Sequence, residues 1–367
     1  MDQPVGIAVI GCGYWGINYV RVMDELPEAR VVTVCEPRSD RLNEIRRRFP
    51  WISLTTNVVE ALQSDGVEAV VICTEASSHH PIAQHCLKSG KHVLVEKPIT
   101  IRAEDAADLI AWAEDAGVKL MVGHTFLYND GVRRVKTYID RAEIGEIYYL
   151  YARRTNLGPI RRDVNALWDL APHDISIFNF LLDRTPDWVS AVGSKVLRNH
   201  REDVGFITLG YGSHIIAHIH VSWADPHKVR EVVVVGSNRR VLFDDLNPLE
   251  KVRIFEKGVF QVKDEASSYG EYQLLMRDGD ILSPHIEVSE PLKNQCLHFL
   301  ECVREDIQPL TSGRAGMDVV RVMEAVNLSL AQKGAPVRVK PYEDITQDLW
   351  KRSNGQAVRA KAYEYHD

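Results

Sequence analysis

The sequence Gly-Cys-Gly-Tyr-Trp-Gly at positions 11–16 constrains the fold of this chain more than any other stretch. The apolar run at 6–10 precedes it and predicts a β-strand, and the pattern at 17–26 predicts a helix. A glycine turn between a strand and a helix is the arrangement that binds the phosphates of a dinucleotide. The opening of the chain therefore predicts the first unit of a doubly wound α/β domain.

Each glycine of this turn has its own physical role. Gly11 permits the tight turn, Gly13 lets a pyrophosphate approach the backbone, and Gly16 lets the helix pack against the strand. The helix N-terminus then offers unpaired N–H groups and a partial positive charge to the phosphates. The predicted cofactor-binding residues of the turn are Gly11, Gly13, Tyr14, Trp15 and Gly16.

An acidic residue follows where the second strand of such a domain should end. The apolar segment 31–35 leads directly into Glu36, twenty residues after Gly16. A carboxylate at this position binds the adenosine ribose hydroxyls and repels a 2′-phosphate, which favours NAD over NADP. Arg38 lies close by and is also predicted to contact the cofactor, where it could partly accommodate NADP.

Composition excludes several classes of protein. The chain has 367 residues and a net charge of −7, which argues against nucleic acid or an anionic membrane as its main partner. It has no apolar run of membrane-spanning length, and no signal peptide is expected. Its six cysteines contain no C-x-x-C pair, so a reducing cytoplasm is the expected compartment. No metal site is predicted.

The pattern of strands and helices changes after about residue 123. Before that point strands alternate with helices, which predicts a parallel sheet covered on both faces. We therefore predict an α/β protein with an N-terminal Rossmann domain over 1–124 and a C-terminal α+β domain over 125–367. The second domain is expected to contain a broad, mostly antiparallel sheet. Its predicted strands are 147–153, 188–192, 204–209, 215–221, 229–235 and 252–255, and helices are predicted at 132–139, 292–303 and 317–331.

Lys97 lies at the carboxyl end of the fourth predicted strand, 92–95, between Glu96 and Pro98. Ligands of open α/β sheets bind at the carboxyl ends of strands. The bond to Pro98 is a candidate for the cis form, which would fix the direction of the lysine. By itself, a lysine at a strand end is more commonly a solvated surface charge.

A second group of polar residues lies in the segment 168–174, Trp-Asp-Leu-Ala-Pro-His-Asp, which precedes an apolar helix. Asp169 is predicted as the N-cap of that helix, which would place Pro172 in its first turn. Asp169 and His173 would then face the same way near the helix start. Taken alone, these two residues could equally be a cap and a packed histidine.

Together these motifs resemble the glucose–fructose oxidoreductase/inositol dehydrogenase family. The resemblance rests on the glycine turn, on Gly-Lys-His-Val-Leu-Val-Glu-Lys-Pro at 90–98, and on Asp-x-x-x-His-Asp at 169–174. It extends to Glu-Pro-Leu at 290–292 and His-Phe at 298–299. One departure is Thr-Glu-Ala at 74–76, where the family often has Thr-Pro-Asn.

The resemblance implies that Lys97, Asp169 and His173 surround a carbinol undergoing oxidation. A histidine near neutrality suits the base that takes the hydroxyl proton, and an ammonium can stabilise the developing alkoxide charge. We therefore assign His173 as general base, Lys97 as electrostatic partner and proton relay, and Asp169 as orienter or substrate ligand. The resemblance also implies a homodimer or homotetramer through the broad sheet. Further predicted cofactor contacts are Thr74, His79, Glu96 and Lys97.

The predicted substrate contacts lie in two segments. Four arginines, at 153–154 and 161–162, surround an Asn-Leu-Gly-Pro turn and favour an anionic substrate, with a solvated loop as the alternative. The segment 124–129 lies at the domain junction and either lines the cleft or packs as a hinge. The predicted substrate-binding residues are His124, Tyr128, Arg153, Arg154, Asn156 and His173.

These segments look like the branch of the family that oxidises C3 of UDP-N-acetylglucosamine or its uronic acid. The expected function is therefore an NAD-dependent dehydrogenase that acts on a secondary hydroxyl of a nucleotide-linked sugar in sugar, polysaccharide or antibiotic biosynthesis. An inositol dehydrogenase-like enzyme acting on a cyclitol or free sugar is the alternative. An NAD-using glycosidase and a non-catalytic dinucleotide-sensing regulator are further readings, and the presence of Lys97, Asp169 and His173 argues against the regulator.

Overall fold

The computed structural model describes residues 3–161, 164–197, 200–261 and 274–347. Strands that alternate with helices form a six-stranded parallel sheet. Two compact units are present. The first contains the described residues up to 125 with 290–324 and 340–347, and the second those of 126–289 with 325–339. The predicted domains, 1–124 and 125–367, stay a prediction.

The sheet of the first unit has the strand order β3-β2-β1-β4-β5-β6, and every pair in it is parallel. This order confirms the predicted Rossmann fold. The strands are β1 (Val5–Ile10), β2 (Ala29–Cys35), β3 (Ser53–Thr55), β4 (Ala69–Ile72), β5 (His92–Glu96) and β6 (Leu120–Gly123). The helices are α1 (Tyr14–Glu25), α2 (Ser39–Arg48), α3 (Val58–Gln63), α4 (Ala76–Lys88) and α5 (Ala103–Asp115).

The central strands are apolar because both of their faces are covered. Every residue of β1 and β4 is buried, and Ile10 at the end of β1 pairs with Cys35 on one side and Ile72 on the other. The strand order reverses between β1 and β4, so the ligand crevice of the fold lies at their carboxyl ends. Strand β3 was not predicted, because it is a three-residue strand at the sheet edge without an apolar run. The predicted fourth strand is therefore β5.

The second unit contains a nine-stranded sheet with the order β16-β13-β12-β11-β7-β10-β9-β8-β17. A 3₁₀ helix spans Thr125–Tyr128. The other elements are α6 (Asp130–Asp140), β7 (Ile147–Leu157), α7 (Ala166–Leu182), β8 (Trp188–Ser194), β9 (Val204–Tyr211), β10 (Ile215–Ser222), β11 (Ala224–Gly236), β12 (Arg240–Asp244), β13 (Val252–Phe255), β14 (Gly258–Gln261), β15 (Leu274–Arg277), β16 (Ile281–Leu282) and β17 (Val337–Arg338).

This sheet confirms the prediction of a broad, mostly antiparallel second sheet. Strands β7 and β10 run parallel, and the other neighbours in the sheet are antiparallel. Helix α7 packs on β7, β9 and β10, where Leu167 lies against Gly205. The unpredicted strands β12, β16 and β17 are short, and β14 pairs with β15 in a separate two-stranded sheet.

Two helices follow, α8 (Pro291–Arg304) and α9 (Gly313–Ala331), and they confirm the predicted helices at 292–303 and 317–331. In the first unit α8 packs against α1 and buries Cys296, Phe299 and Leu300. All six cysteines, which fall inside the described ranges, are free thiols. None of the helices in these ranges is long and apolar enough to cross a membrane.

The start of α7 corrects one prediction. Its N-cap is Asn165, whose side-chain oxygen accepts a hydrogen bond from the Trp168 N–H at 2.9 Å. The predicted cap, Asp169, therefore lies inside the first turn, and Pro172 lies within the helix, beyond its first turn. Asparagine caps as well as aspartate, and apolar residues at 166 and 167 continue the buried face one turn earlier.

Candidate active site

The glycine turn after β1 has the geometry that its sequence predicts. Gly11 has φ +86°, and a Cβ there would lie 2.8 Å from the Thr74 side chain. A Cβ on Gly16 would overlap the carbonyl oxygen of Gly11, so only glycine allows α1 to pack against the turn. A Cβ on Gly13, by contrast, would meet no atom within 4 Å. The close-packed side of the turn is therefore at positions 11 and 16, and position 13 faces open space.

The N-terminus of α1 is suited to bind an anion. Its N-cap, Gly13, provides no side-chain hydrogen bond to the first turn. The first-turn N–H groups and the helix dipole are therefore available to phosphate oxygens. Tyr14 and Trp15 follow with 79% and 43% of their surface exposed, and their rings meet edge to face at 5.6 Å.

Glu36 is held as a buried acceptor at the end of β2. It is 4% exposed, and its carboxylate accepts hydrogen bonds from the Cys12 N–H at 2.7 Å and from the Arg38 Nε at 3.0 Å. Burial by itself raises the pKa of Glu36, but the hydrogen bonds from Cys12 and Arg38 outweigh it and leave the pKa below its ordinary value. An ionised carboxylate beside an open glycine turn fits the ribose and pyrophosphate of NAD.

The two ends of this turn can be tested separately. We expect Gly13→Ala to leave the melting temperature unchanged, because position 13 has room for a methyl group and an ordinary backbone conformation. The methyl would stand where the pyrophosphate must approach, so NAD affinity should fall at least about tenfold, or about 1.4 kcal/mol. Gly16→Ala should instead destabilise the first unit by about 1–3 kcal/mol through overpacking. Calorimetric titration with NAD and thermal unfolding would measure both effects, and equal losses of stability in the two variants would contradict this assignment.

The loops after β4 and β5 are joined by His79. This imidazole is 1% exposed, with Nδ1 lying 2.8 Å from the Pro98 carbonyl oxygen and Nε2 lying 3.1 Å from the Thr74 carbonyl oxygen. The Thr74 hydroxyl accepts a hydrogen bond from Ser78 at 2.9 Å. Of the two predicted cofactor contacts, Thr74 therefore lies just after β4, and His79 lies in the first turn of α4 with both ring nitrogens close to backbone carbonyl oxygens.

Lys97 follows the last residue of β5, and its peptide bond to Pro98 is cis, as predicted. Glu96 is 7% exposed and accepts hydrogen bonds within the first unit. His124 follows β6 in the same unit and is 1% exposed. Burial, assisted by the positive charge of Lys97, lowers the pKa of His124 to about 3, so its imidazole is neutral at physiological pH. Tyr128, the next predicted substrate contact along the chain, is completely buried in the second unit.

In the second unit, α7 presents Asp169 and His173 one turn apart. The Asp169 carboxylate accepts hydrogen bonds from the Trp223 indole N–H and from Arg161, each at 3.2 Å. The His173 ring meets the Phe126 ring edge to face at 5.0 Å. Trp223 is 1% exposed, so a buried donor fixes the orientation of the carboxylate that the sequence assigns as orienter.

The predicted arginine group is largely engaged by carboxylates. Arg154 is buried and forms a bidentate pair with Asp174, at 3.0 and 2.7 Å. Arg153 pairs with Glu231 at 3.2 Å, and Arg161 with Asp169. The guanidinium of Arg154 is thus engaged in a buried ion pair, and its predicted contact with an anionic substrate stays a prediction.

Asn156 and Arg162 belong to the same segment. The side-chain amide of Asn156 donates a hydrogen bond to the Gly158 carbonyl oxygen. Arg162 lies outside the described residues. The remaining candidates for anion binding are Arg153 and Arg161, whose side chains are 42% and 37% exposed.

The predicted residues therefore form one group in each unit. In the first unit, the group lies along the carboxyl edge of the parallel sheet and consists of the glycine turn, Glu36, Thr74, Glu96, Lys97 and His124. In the second, Asp169 and His173 share a face of α7. Sequence reasoning missed Trp223, Tyr19 and Gln295, which contact these groups. A tryptophan between the Ser that ends β10 and the Ala that opens β11 carries no local signal for such a role.

Comparison with known proteins identifies the family. A family model described as the oxidoreductase family with an NAD-binding Rossmann fold matches residues 5–124. A model of the GFO/IDH/MocA C-terminal domain matches residues 132–242. A proposed oxidoreductase from Magnetospirillum magnetotacticum MS-1, known from its crystal structure, is 30% identical with a TM-score of 0.73, over 88% of this chain and 99% of that one.

Two further relatives have named ligands or substrates. The 2,7-anhydro-N-acetylneuraminate hydratase of Escherichia coli K12 is 25% identical over 89% of this chain and 95% of its own length. The WlbA dehydrogenase of Bordetella pertussis, crystallised with NADH and UDP-GlcNAcA, has a TM-score of 0.76 at 20% identity, over 93% of this chain and 99% of that one. The fold, the NAD-binding turn and both family matches lead to one conclusion. The chain belongs to the GFO/IDH/MocA oxidoreductase family, and it is an NAD-dependent oxidoreductase.

Proposed function

We propose that this enzyme oxidises a secondary hydroxyl of a nucleotide-linked sugar to the ketone, at C3 of UDP-N-acetylglucosamine or of its uronic acid. The observation that carries the proposal is the fixed Asp169 carboxylate, held by Trp223 and Arg161 one helical turn from His173. An acid that orients an imidazole is the arrangement needed to remove a hydroxyl proton.

The chain's own residues divide the work of the reaction. His173 takes the hydroxyl proton on an imidazole nitrogen, and Asp169 stabilises the protonated ring that results. Lys97 donates a hydrogen bond to the same oxygen as negative charge develops on it. Gly13, the N-terminus of α1 and Glu36 hold the pyrophosphate and the ribose of the cofactor. When bound, NAD supplies the nicotinamide that receives the hydride.

The anionic part of the substrate is assigned to Arg153 and Arg161. Their side chains are 42% and 37% exposed, so both guanidinium groups are accessible to a pyrophosphate or a uronate. The WlbA dehydrogenase, which has the same fold as this chain, was crystallised with NADH and a nucleotide sugar, UDP-GlcNAcA. An uncharged cyclitol would make no use of these two guanidinium groups.

A second candidate is a reaction on an N-acetylated sugar acid without net oxidation. The observation that favours it is the match to the hydratase from Escherichia coli, which covers nearly the whole of both chains. In that case the same base and ammonium would act on the sugar, but no NADH would accumulate.

The test is a panel of substrates assayed for NADH formation and product mass. UDP-N-acetylglucosamine, its uronic acid, inositols, free hexoses and 2,7-anhydro-N-acetylneuraminate are offered to the enzyme with NAD. We expect NADH only with the UDP-linked sugars, together with a product lighter by one hydrogen molecule. Turnover confined to inositols or hexoses would overturn the nucleotide-sugar assignment. A product that gains water without NADH would favour the second candidate.

A further inference from the structure

The residue that precedes the proposed catalytic lysine carries a buried carboxylate. Glu96 is 7% exposed, and its Oε1 accepts a hydrogen bond from the Tyr19 hydroxyl at 2.7 Å. Its Oε2 accepts a hydrogen bond from the backbone N–H of Lys97 at 3.1 Å. Both oxygens are thus acceptors of internal donors, although the sequence assigned Glu96 to cofactor binding. Any proton on this carboxyl would have to lie on an oxygen that already faces a donor.

The Tyr19 hydroxyl, which donates to Glu96, is part of a buried chain of hydrogen bonds that all donate toward Glu96. The Gln295 side-chain amide donates to the Tyr19 hydroxyl at 2.7 Å, and the Thr125 hydroxyl donates to the Gln295 oxygen at 2.9 Å. Tyr19 and Gln295 are completely buried. Because the Tyr19 oxygen accepts from Gln295, its own proton is directed to Glu96. The chain from α8 through α1 therefore ends on the carboxylate, as a charged acceptor requires.

The other titratable groups around Glu96 are neutral. Burial, followed by the charge of Glu96, raises the pKa of the Cys73 thiol, and burial raises that of Cys296 as well. His124 is uncharged, as described above. The pKa of Glu96 itself is raised above its ordinary value by burial, and the Tyr19 hydrogen bond, the positive charge of Lys97 and the Lys97 N–H limit that rise. Among the residues that the structure describes, Lys97 supplies the positive charge that lowers the pKa of this carboxylate.

We propose that Glu96 is a positioning residue, whose carboxylate is kept ionised by the hydrogen-bond chain Thr125–Gln295–Tyr19 and in turn keeps Lys97 charged as an ammonium. The inference rests on the proposed function in one respect, the role of Lys97 at the reacting hydroxyl. It gives α1 and α8, which carry none of the predicted catalytic groups, a part in setting the charge at the catalytic lysine.

The experiment measures the protonation of Lys97 in the folded protein without substrate. Lysine amines are labelled briefly with acetic anhydride at a series of pH values, and the Lys97 peptide is quantified by mass spectrometry. We expect Glu96→Gln to lower the apparent pKa of Lys97 by about 1–3 units, because an opposite charge nearby is lost. Tyr19→Phe should shift it in the same direction by a smaller amount, and Gln295→Met should do likewise.

The matched control is Tyr211→Phe. Tyr211 is also completely buried and donates its hydroxyl to a side-chain oxygen, that of Asn179, at 3.1 Å in the second unit. It should leave the Lys97 titration unchanged although it removes the same buried group. An unshifted titration in Glu96→Gln would overturn the proposal. A shift in Glu96→Gln with none in Tyr19→Phe or Gln295→Met would overturn the role of the chain. Since no turnover is measured, failure of the substrate assignment would leave these outcomes interpretable.

Discussion

Replacing His173 by alanine should lower kcat by about 10²–10⁴-fold, the range typical for loss of a general base. The variant retains Asp169 with its two donors, Trp223 and Arg161, so the carboxylate stays in place. What is lost is the group that accepts the hydroxyl proton. The affinity for NAD should be unchanged, because the glycine turn and Glu36 belong to the other unit.

The measurement is the rate of NADH formation in a single turnover with the substrate that the panel identifies, together with NAD binding by calorimetry. His214→Ala is the matched control, since this histidine lies in the same unit with 59% of its side chain exposed. Its kcat should equal that of the wild type. Near-full turnover by His173→Ala with cofactor bound would remove His173 from the mechanism.

The second large effect is on stability, and it is expected for Asp174→Ala. Asp174 is 1% exposed and accepts two hydrogen bonds from the Arg154 guanidinium, whose central carbon also lies 4.3 Å from the centroid of the Phe126 ring. Removing the carboxylate leaves a buried guanidinium without its counter-charge. The expected loss is about 3–5 kcal/mol, which corresponds to a melting temperature lower by about 6–20 °C.

Glu231→Ala provides the comparison, because it breaks the ion pair of the neighbouring Arg153. That pair is half exposed, with side chains 42% and 23% accessible, and such pairs contribute about 0–1 kcal/mol. Thermal unfolding of both variants, followed by circular dichroism and calorimetry, should separate them clearly. Equal shifts in the two variants would mean that burial does not distinguish the two arginines.

Several parts of this protein follow from local sequence alone. Apolar runs alternating with helices gave the parallel sheet and its covered faces, because each strand must bury both sides. The glycines at 11 and 16 were predictable because the turn itself gives Gly11 a positive φ and places the Gly11 carbonyl oxygen against position 16. The placement of Glu36 and Lys97 at strand ends also followed, since strand periodicity fixes where a strand stops. The family resemblance rests on these same local motifs.

The tertiary structure decided which partner each polar side chain has. Four arginines close together in sequence predicted one anion site. In the structure, Arg154 pairs with Asp174, 20 residues away, and Arg153 pairs with Glu231, 78 residues away. The Glu96 carboxylate accepts a hydrogen bond from Tyr19, 77 residues away, and the Tyr19 hydroxyl accepts one from Gln295, 276 residues away. Local sequence shows that such groups carry charge or hydrogen-bonding atoms, and the local periodicity shows whether they are buried. Which of them form pairs is set by how distant strands and helices pack. Burying an unpaired charge is unfavourable, and the partner that compensates it comes from elsewhere in the chain.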